Sequence, residues 1–226
     1  MTNRTLVVSI DALITADIPV LKQLPNLGRV MEHASWITDI ECIYPTLTYP
    51  CHATIATGCW PDRTGINNNE IPDFFAKGRM DWYWWREAIQ VPTVVDFARQ
   101  AGLTASTVTW PVMCASGAEY NIGEIWAPRE EDDPTPWFTR ANSPAVAKIF
   151  EANKHMLRWM KTPQMDEFAA KCAADIIRAH RPDLMLLHLS YVDHQRHRLG
   201  VHGDLEHAFR FIDGQKIGRA SCRERV

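Results

Sequence analysis

The most informative segment of this chain reads Ile43-Tyr-Pro-Thr-Leu-Thr-Tyr-Pro-Cys-His-Ala-Thr-Ile-Ala-Thr-Gly58. Pro45 and Pro50 bracket Thr48, and a proline biases the residue before it towards extended backbone. The run from Ala53 to Ala56 is typical of the start of a short helix, which Gly58 would end. The segment therefore predicts a strand-to-helix junction with Thr48 at its centre.

Thr48 has two interpretations at such a junction. Unpaired backbone N–H groups and the helix dipole favour a phosphate oxyanion there, so the hydroxyl could face a bound phosphoester. A threonine hydroxyl is a poor nucleophile unless a base or a metal ion removes its proton. Threonine is also a common helix cap, and from this segment alone the cap is the simpler interpretation. A metal site around Thr48 would decide between them.

Two short apolar runs are typical of strands buried on both faces of a parallel sheet. Leu6-Val-Val-Ser-Ile10 ends at Asp11, and Asp183-Leu-Met-Leu-Leu-His-Leu-Ser190 leads on to Asp193. Open α/β sheets bind their ligands at the carboxyl ends of such strands. Asp11 is therefore either a ligand-binding residue or the cap of the following loop, and the sequence leaves both open.

The spacing of Asp193 and His197 suits a metal ion. Residues four apart lie on the same side of one helical turn, and a carboxylate with an imidazole suits a zinc-like ion. Polar surface pairs of this kind are common, so the pair also fits a solvated helix face. His188, inside the apolar run, is expected to be a satisfied core histidine.

The intervening chain predicts further elements of an α/β fold. We expect helices over 18–30, 93–100, 144–160 and 165–180, and strands over 36–43 and 103–110. A helix followed by a strand is the unit of a right-handed crossover. The segment 113–142, with the acidic run Glu130-Glu-Asp-Asp133, is expected to be an irregular solvated excursion.

The composition is that of an ordinary globular protein, with 226 residues, 46% hydrophobic and 23% charged. A net charge of −3 gives no electrostatic footprint for a nucleic-acid polymer. No basic amphipathic or long apolar run indicates a membrane, and no signal-peptide pattern is present, so a cytoplasmic location is the default prediction. The six cysteines form no CxxC pair, so we expect reduced thiols and no disulfide framework.

The order of these features resembles the alkaline phosphatase superfamily, and within it the nucleotide pyrophosphatase/phosphodiesterase branch. The motifs that carry the resemblance are Val8-Ser-Ile-Asp11, Pro45-Thr-Leu-Thr-Tyr-Pro-Cys-His52 with Thr57-Gly58, Pro61-Asp-Arg-Thr-Gly-Ile66, and Tyr191-Val-Asp193 with His197. The resemblance implies an α/β fold, an alkaline-phosphatase-like three-layer sandwich with a mostly parallel central sheet, whose carboxyl-terminal part is missing.

The resemblance also implies roles for individual residues. Thr48 would be the nucleophile of a hydrolase that cleaves phosphodiester or pyrophosphate bonds in small molecules. Two divalent metal ions, expected to be zinc, would be bound by Asp11 with Thr48 and by Asp193 with His197.

Cys51 and Trp110 are assigned to substrate binding. Cys51 departs from the pattern of the family that the chain resembles, because the resemblance implies an asparagine that contacts the phosphate at this position, and a thiol is a weaker donor than an amide. Phosphomonoester hydrolysis, phosphonate hydrolysis and phosphoryl transfer on the same scaffold therefore remain alternatives.

The last residues, Lys216-Ile-Gly-Arg-Ala-Ser-Cys-Arg-Glu-Arg-Val226, resemble the translation of sequencing-adapter read-through. We expect residues 1–215 to be a partial catalytic domain and 216–226 to be a foreign tail. The resemblance implies that a later Asp-His pair and a further His complete the two zinc sites. Half a ligand set holds metal weakly, so we expect this chain to be inactive, and a non-catalytic fragment is the remaining alternative.

Overall fold

A sheet of four parallel strands lies at the centre of the fold in a computed structural model, which describes residues 4–38, 40–72, 81–125, 133–157 and 161–215. The strands are β1 (Thr5–Ile10), β2 (Ala105–Val108), β3 (Tyr120–Ile122) and β4 (Leu184–Leu189). Their order across the sheet is β1-β4-β2-β3, and each of these pairings is parallel. Ser9 is opposite His188, so β1 and β4 end at the same edge of the sheet. The predicted α/β class with a parallel sheet is confirmed.

Helices connect the strands. In chain order they are α1 (Ile18–Leu21), α2 (Leu27–Met31), α3 (Thr48–Thr57), α4 (Pro61–Thr64), α5 (Val94–Gln100), α6 (Thr135–Ala141), α7 (Ala147–Asn153), α8 (Gln164–His180), α9 (Tyr191–Leu199) and α10 (Glu206–Asp213). Single 3₁₀ turns occur at Thr15–Asp17, Arg86–Ala88, Pro144–Val146 and Lys154–Met156. The predicted helices after Thr93 and Met165 are confirmed as α5 and α8.

β4 lies in the core, and its residues are all buried. β4 lies between β1 and β2 in the sheet, and α8 packs one apolar face against β4 and β2. Phe138 and Phe150 stack with ring centroids 4.9 Å apart, and Phe168 of α8 meets Phe138 edge to face at 5.9 Å. Burial of these apolar faces is the main favourable contribution to folding.

β1 is less buried than predicted. Its neighbour in the described sheet is β4 on one side, and Val8 is 41% exposed. The expectation that Leu6–Ile10 is buried on both faces is therefore wrong for the described residues, because β1 lies at the sheet edge there. A parallel strand reaches full burial only where neighbours and helices cover it.

Two predicted elements before Thr48 are wrong. The segment 36–43 forms no strand in its described residues, where Ile37 is 79% and Ile40 is 73% exposed. A strong strand propensity is realised only when a neighbouring strand supplies hydrogen bonds, and none pairs with this segment in the described sheet. The single helix over 18–30 is split into α1 and α2, because Pro25 has no N–H to donate within a helix.

The segment 113–142 is more regular than predicted, since it contains β3 and α6. Residues 130–132 of the acidic run and the tail 216–226 lie outside the described residues. Among the described residues, no helix combines the length and the apolar character needed to cross a bilayer.

Candidate active site

Thr48 is the first residue of α3. Leu47 before it is extended (φ −120°, ψ 152°) and occupies the cap position. The helix begins at Thr48 and not at Ala53, because Pro50 falls in the first turn, where a missing N–H costs no helical hydrogen bond. Gly58 ends the helix with φ 67°, as predicted. The interpretation of Thr48 as the helix cap is therefore wrong, and Thr48 lies where extended backbone turns into helix.

The side chain of His52 connects α3 to β1 through two hydrogen bonds. Its Nδ1 lies 2.7 Å from the carbonyl oxygen of Thr48, and its Nε2 lies 2.9 Å from Oγ of Ser9. Because a carbonyl only accepts, Nδ1–H donates to Thr48 and Nε2 accepts from the Ser9 hydroxyl. Burial, and then the neighbouring His188, lower the pKa of His52 to about 4, so the ring is neutral near pH 7. The start of α3 is thereby held beside the end of β1.

Trp110 packs behind His52. The two rings meet edge to face with centroids 5.1 Å apart, and Nε1 of Trp110 donates to the carbonyl oxygen of His52 at 3.3 Å. Only 1% of Trp110 is exposed, because the chain after β2 turns into the core, where Val112 and Met113 are also buried. Trp110 therefore packs against His52, and its role in substrate binding stays a prediction.

Asp11 follows β1 and faces His188. Its N–H donates to the carbonyl oxygen of Leu189 at 2.9 Å, and Oδ2 lies 3.4 Å from Nε2 of His188. Burial opposes ionisation of Asp11, but the hydrogen bond and charge of His188 outweigh it and lower the pKa of the carboxyl group. Nδ1 of His188 donates to the carbonyl oxygen of Thr109 at 3.2 Å. His188 is thus the satisfied buried histidine that was predicted, and it also orients Asp11.

Asp193 and His197 lie on one turn of α9, as their spacing predicts. Oδ2 of Asp193 and Nε2 of His197 are 3.4 Å apart. Asp166 of α8 accepts the N–H groups of Ser190 at 3.0 Å and Tyr191 at 2.9 Å, so a buried carboxylate caps the start of α9. This cap fixes the helix that carries the candidate metal ligands.

Arg196 connects α9 to the loop after Asp11. Its Nε donates to the carbonyl oxygen of Ala12 at 2.7 Å, and its Nη2 donates to Oδ2 of Asp17 at 2.5 Å. Both members of this ion pair are buried, so removal of either would leave an uncompensated charge. Arg196 therefore fixes the position of α9 relative to Asp11.

Asp11 and Asp193 lie close enough to repel each other. Burial, and then the negative charge of Asp11, raise the pKa of Asp193. Carboxylates brought together in this way are stabilised by a cation between them. Of the candidate ligands, the structure thus brings Asp193 close to both Asp11 and His197.

The side chains of Asp11, Asp193 and His197 are of the kinds that bind a divalent ion, but they are few. Carboxylate and imidazole groups are ordinary zinc ligands. Within the described ranges, no three His, Cys, Asp or Glu side chains lie close enough together to hold a metal ion. The structure thus places Asp11 near the start of α3 and Asp193 beside His197, and their role as metal ligands stays a prediction.

The amide donors at the start of α3 differ from those expected. The N–H of Tyr49 donates to Oδ1 of Asn69 at 2.9 Å, the N–H of Cys51 donates to Leu47 at 3.0 Å, and Pro50 has none. The expectation of several unpaired N–H groups around Thr48 is therefore wrong. Asn69 instead brings a side-chain amide to the start of this helix. No sequence pattern singles Asn69 out, because it reaches across from a turn-rich loop.

Cys51 lies one turn after Thr48 on α3 and is half-buried. Burial, and then the contact with Cys42, raise the pKa of the Cys51 thiol to about 12, and the charge of Asp11 adds to this effect. The thiol is therefore protonated near neutral pH. Its role in substrate binding stays a prediction.

The fold is that of an alkaline-phosphatase-like α/β domain, since it matches solved structures of a phosphonoacetate hydrolase and of ectonucleotide pyrophosphatase / phosphodiesterase 5. Residues 5–216 match the family described as type I phosphodiesterase / nucleotide pyrophosphatase, and the chain belongs to this family.

Individual relatives agree with this assignment. The chain is 26% identical over 201 residues to venom phosphodiesterase 2 of Crotalus adamanteus, which covers 84% of this chain and 20% of that protein. Phosphonoacetate hydrolase from Sinorhizobium meliloti 1021, solved in complex with phosphonoacetate, has a TM-score of 0.67 at 18% identity and covers 97% of this chain and 54% of its own.

An inactive threonine-to-alanine variant of murine ectonucleotide pyrophosphatase / phosphodiesterase 5, solved in complex with AMP, has a TM-score of 0.59 at 18% identity. The match covers 96% of this chain and 51% of that one. The chain thus spans a fifth of the venom protein and about half of each solved structure.

Proposed function

We propose that this protein hydrolyses phosphodiester or pyrophosphate bonds of small molecules, with Thr48 as the nucleophile. The observation that carries the proposal is the position of Thr48 at the start of α3, which His52 fastens to the strand that ends at Asp11. Family membership supports hydrolase chemistry. The murine relative supports a threonine at the reacting centre, because its threonine-to-alanine variant is inactive and binds AMP.

The reaction would proceed in two displacements. Oγ1 of Thr48 forms a bond to phosphorus while the bond from phosphorus to the leaving oxygen breaks, which gives a covalent phosphothreonyl ester. Water then hydrolyses this ester and restores the hydroxyl. The side-chain NH₂ of Asn69 is a candidate donor to a nonbridging phosphate oxygen, since Asn69 is held at the start of α3.

Metal ions would assist this chemistry. Metallo-phosphoesterases of this family generally use divalent ions. We propose zinc, with Asp11 and Thr48 for one ion and Asp193 and His197 for the other. When bound, such ions would lower the pKa of the hydroxyl and neutralise charge on the phosphate. Because the described residues supply only part of each ligand set, we propose that the 226-residue chain by itself has little activity.

Phosphonate hydrolysis is the second candidate. The phosphonoacetate hydrolase of Sinorhizobium meliloti shares the fold with a TM-score of 0.67. Attack of Thr48 on the phosphorus of a phosphonate would use the same residues and change only the leaving group. Phosphomonoester hydrolysis would use the same residues on a substrate with one ester group. Phosphoryl transfer would replace water by another acceptor in the second step.

A substrate panel tests the proposal. The protein expressed from its source locus would be assayed with zinc on an aryl phosphodiester, an aryl phosphomonoester and phosphonoacetate. We expect the diester to be the best substrate and Thr48→Ala to lose at least about 10³-fold in kcat. Thr46→Ala, at an exposed hydroxyl that bonds Ile43, is the matched control. Undiminished turnover in Thr48→Ala would refute the nucleophile assignment.

A further inference from the structure

Two cysteines come together beside Thr48. Cys42 is exposed in the irregular segment before α3, and Cys51 is half-buried on the helix. Their Sγ atoms are 3.4 Å apart, whereas bonded sulfur atoms are about 2 Å apart. A small movement of one side chain would therefore bring the two sulfurs into bonding distance. The two cysteines are nine positions apart in the sequence, so a search for closely spaced CxxC pairs does not find them.

We propose that Cys42 and Cys51 form a thiol pair that closes reversibly into an intramolecular disulfide. The cross-link would enclose Thr48 within its loop. Cys42 and Cys51 are free thiols in the structure, so the disulfide would form only on oxidation. The oxidant is a small-molecule disulfide, for which oxidised glutathione is the probe.

The two sulfurs have different exposures, and this assigns their order of reaction. The exposed Cys42 reaches the oxidant first. Its thiolate attacks one sulfur of glutathione disulfide, the S–S bond of glutathione breaks, and one glutathione thiolate leaves. Burial raises the pKa of Cys51 to about 12, which disfavours Cys51 as the first nucleophile.

The second step closes the ring. Cys51 gives its proton to solvent, its sulfur attacks Sγ of Cys42, and the second glutathione leaves. The two cysteines together lose two electrons and two protons, and glutathione disulfide is reduced to two thiols. No further reactant is needed.

The bond would restrain a segment that has little packing of its own. Tyr44 is 89% and Leu47 is 37% exposed, so few contacts hold the chain that leads into α3. A disulfide across this segment reduces the freedom of the unfolded chain and holds the start of the helix in place. It also removes the Cys51 thiol as a donor. This inference does not depend on the proposed function.

The test is peptide mapping of the 226-residue chain after incubation with oxidised glutathione. We expect one cross-linked peptide that joins Cys42 to Cys51, lighter by two hydrogen atoms than the reduced pair. Dithiothreitol should reverse it. The thermal midpoint of the oxidised protein should rise by up to about 5 °C.

Two serine variants make the result specific. Cys42→Ser should lose both the cross-link and the thermal shift, while Cys59→Ser, which removes a half-buried thiol just after the same helix, should keep both. Matching circular dichroism spectra before oxidation would show that the variants fold. A stable glutathione adduct on Cys42 without a bond to Cys51, or an equal thermal shift in Cys42→Ser, would overturn the proposal.

Discussion

Nε2 of His52 accepts a hydrogen bond from Oγ of Ser9 at 2.9 Å, and this contact joins the helix that starts at Thr48 to the strand that ends at Asp11. The donor direction follows from the other ring nitrogen, which donates to the carbonyl oxygen of Thr48. One neutral, buried imidazole therefore sets the relative position of the proposed nucleophile and a proposed metal ligand.

Removal of His52 should destabilise the protein. His52→Ala leaves a cavity beside Trp110 and leaves the Ser9 hydroxyl without its partner, so we expect a loss of about 3 kcal/mol in the free energy of unfolding. Ser9→Ala removes one hydrogen bond and should cost about 1 kcal/mol. Urea denaturation measures both. Equal stability of His52→Ala and the wild type would contradict the role given to this contact.

Glu124 should make stability depend on pH. Its Oε2 has no hydrogen-bond partner among the described residues, and burial raises its pKa from 4.5 to about 7. The folded state therefore keeps a proton that the unfolded state releases. The contribution of Glu124 is fully present below pH 4.5 and is lost as pH rises towards 7, a fall of about 3 kcal/mol.

The Glu124→Gln variant isolates this effect. We expect the decline in unfolding free energy between pH 5 and pH 8 to be about 3 kcal/mol smaller in Glu124→Gln than in the wild type. Glu119→Gln is the matched control beside the same strand. Its hydrogen bonds outweigh the effect of burial and lower the pKa of Glu119, so it is ionised in both states across this range. The same decline in wild type and Glu124→Gln would show that Glu124 is not buried as a neutral acid.

The 226-residue chain should hold zinc weakly. No three ligands converge among the described residues, so we expect an affinity at least about 10³-fold below that of complete structural zinc sites. Asp193→Asn should weaken binding by a further factor of about ten. Glu206→Gln, at an exposed carboxylate paired with Arg210, should not. Equilibrium dialysis that finds two tightly held zinc ions would contradict this prediction.

Asn69 should act through its NH₂ group. Asn69→Asp keeps an oxygen that accepts from Tyr49 but places a negative charge where a phosphate would bind. We expect Asn69→Asp to lose at least about 10²-fold in kcat/KM on an aryl phosphodiester, with unfolding free energy within about 1 kcal/mol of the wild type. Asn67→Ala, in the exposed part of the same loop, is the control. Full turnover in Asn69→Asp would exclude the role.

Local patterns predicted much of the fold. The apolar runs before Asp11 and after Asp183 are β1 and β4, and the helix after Thr93 has its predicted cap, since the threonine oxygen accepts the N–H of Asp96. The strand predicted over 36–43 failed because strand propensity needs a partner, which no single segment reveals. The start of α3 was predicted too late, at Ala53, because Pro50 was expected to precede the helix. A proline is tolerated in the first turn of a helix.

The sequence predicted where several candidate site residues lie, but it did not predict the contacts that hold them in place. The spacing of Asp193 and His197 predicted their contact, and the end of β1 predicted the place of Asp11. Arg196 and Asn69 have no local signature, since each acts across the fold on a distant backbone group. The burial of Trp110 was not predicted, because it depends on how the chain turns after β2.

The central claim is that Thr48 is the nucleophile, and trapping of the covalent ester tests it most directly. The protein expressed from its source locus would be quenched in acid during turnover of a phosphorus-labelled aryl diester, digested, and analysed by mass spectrometry. We predict label on the peptide that contains Thr48, retained in Thr46→Ala and absent in Thr48→Ala. Steady turnover without label on Thr48, or with label on another residue, would contradict the account.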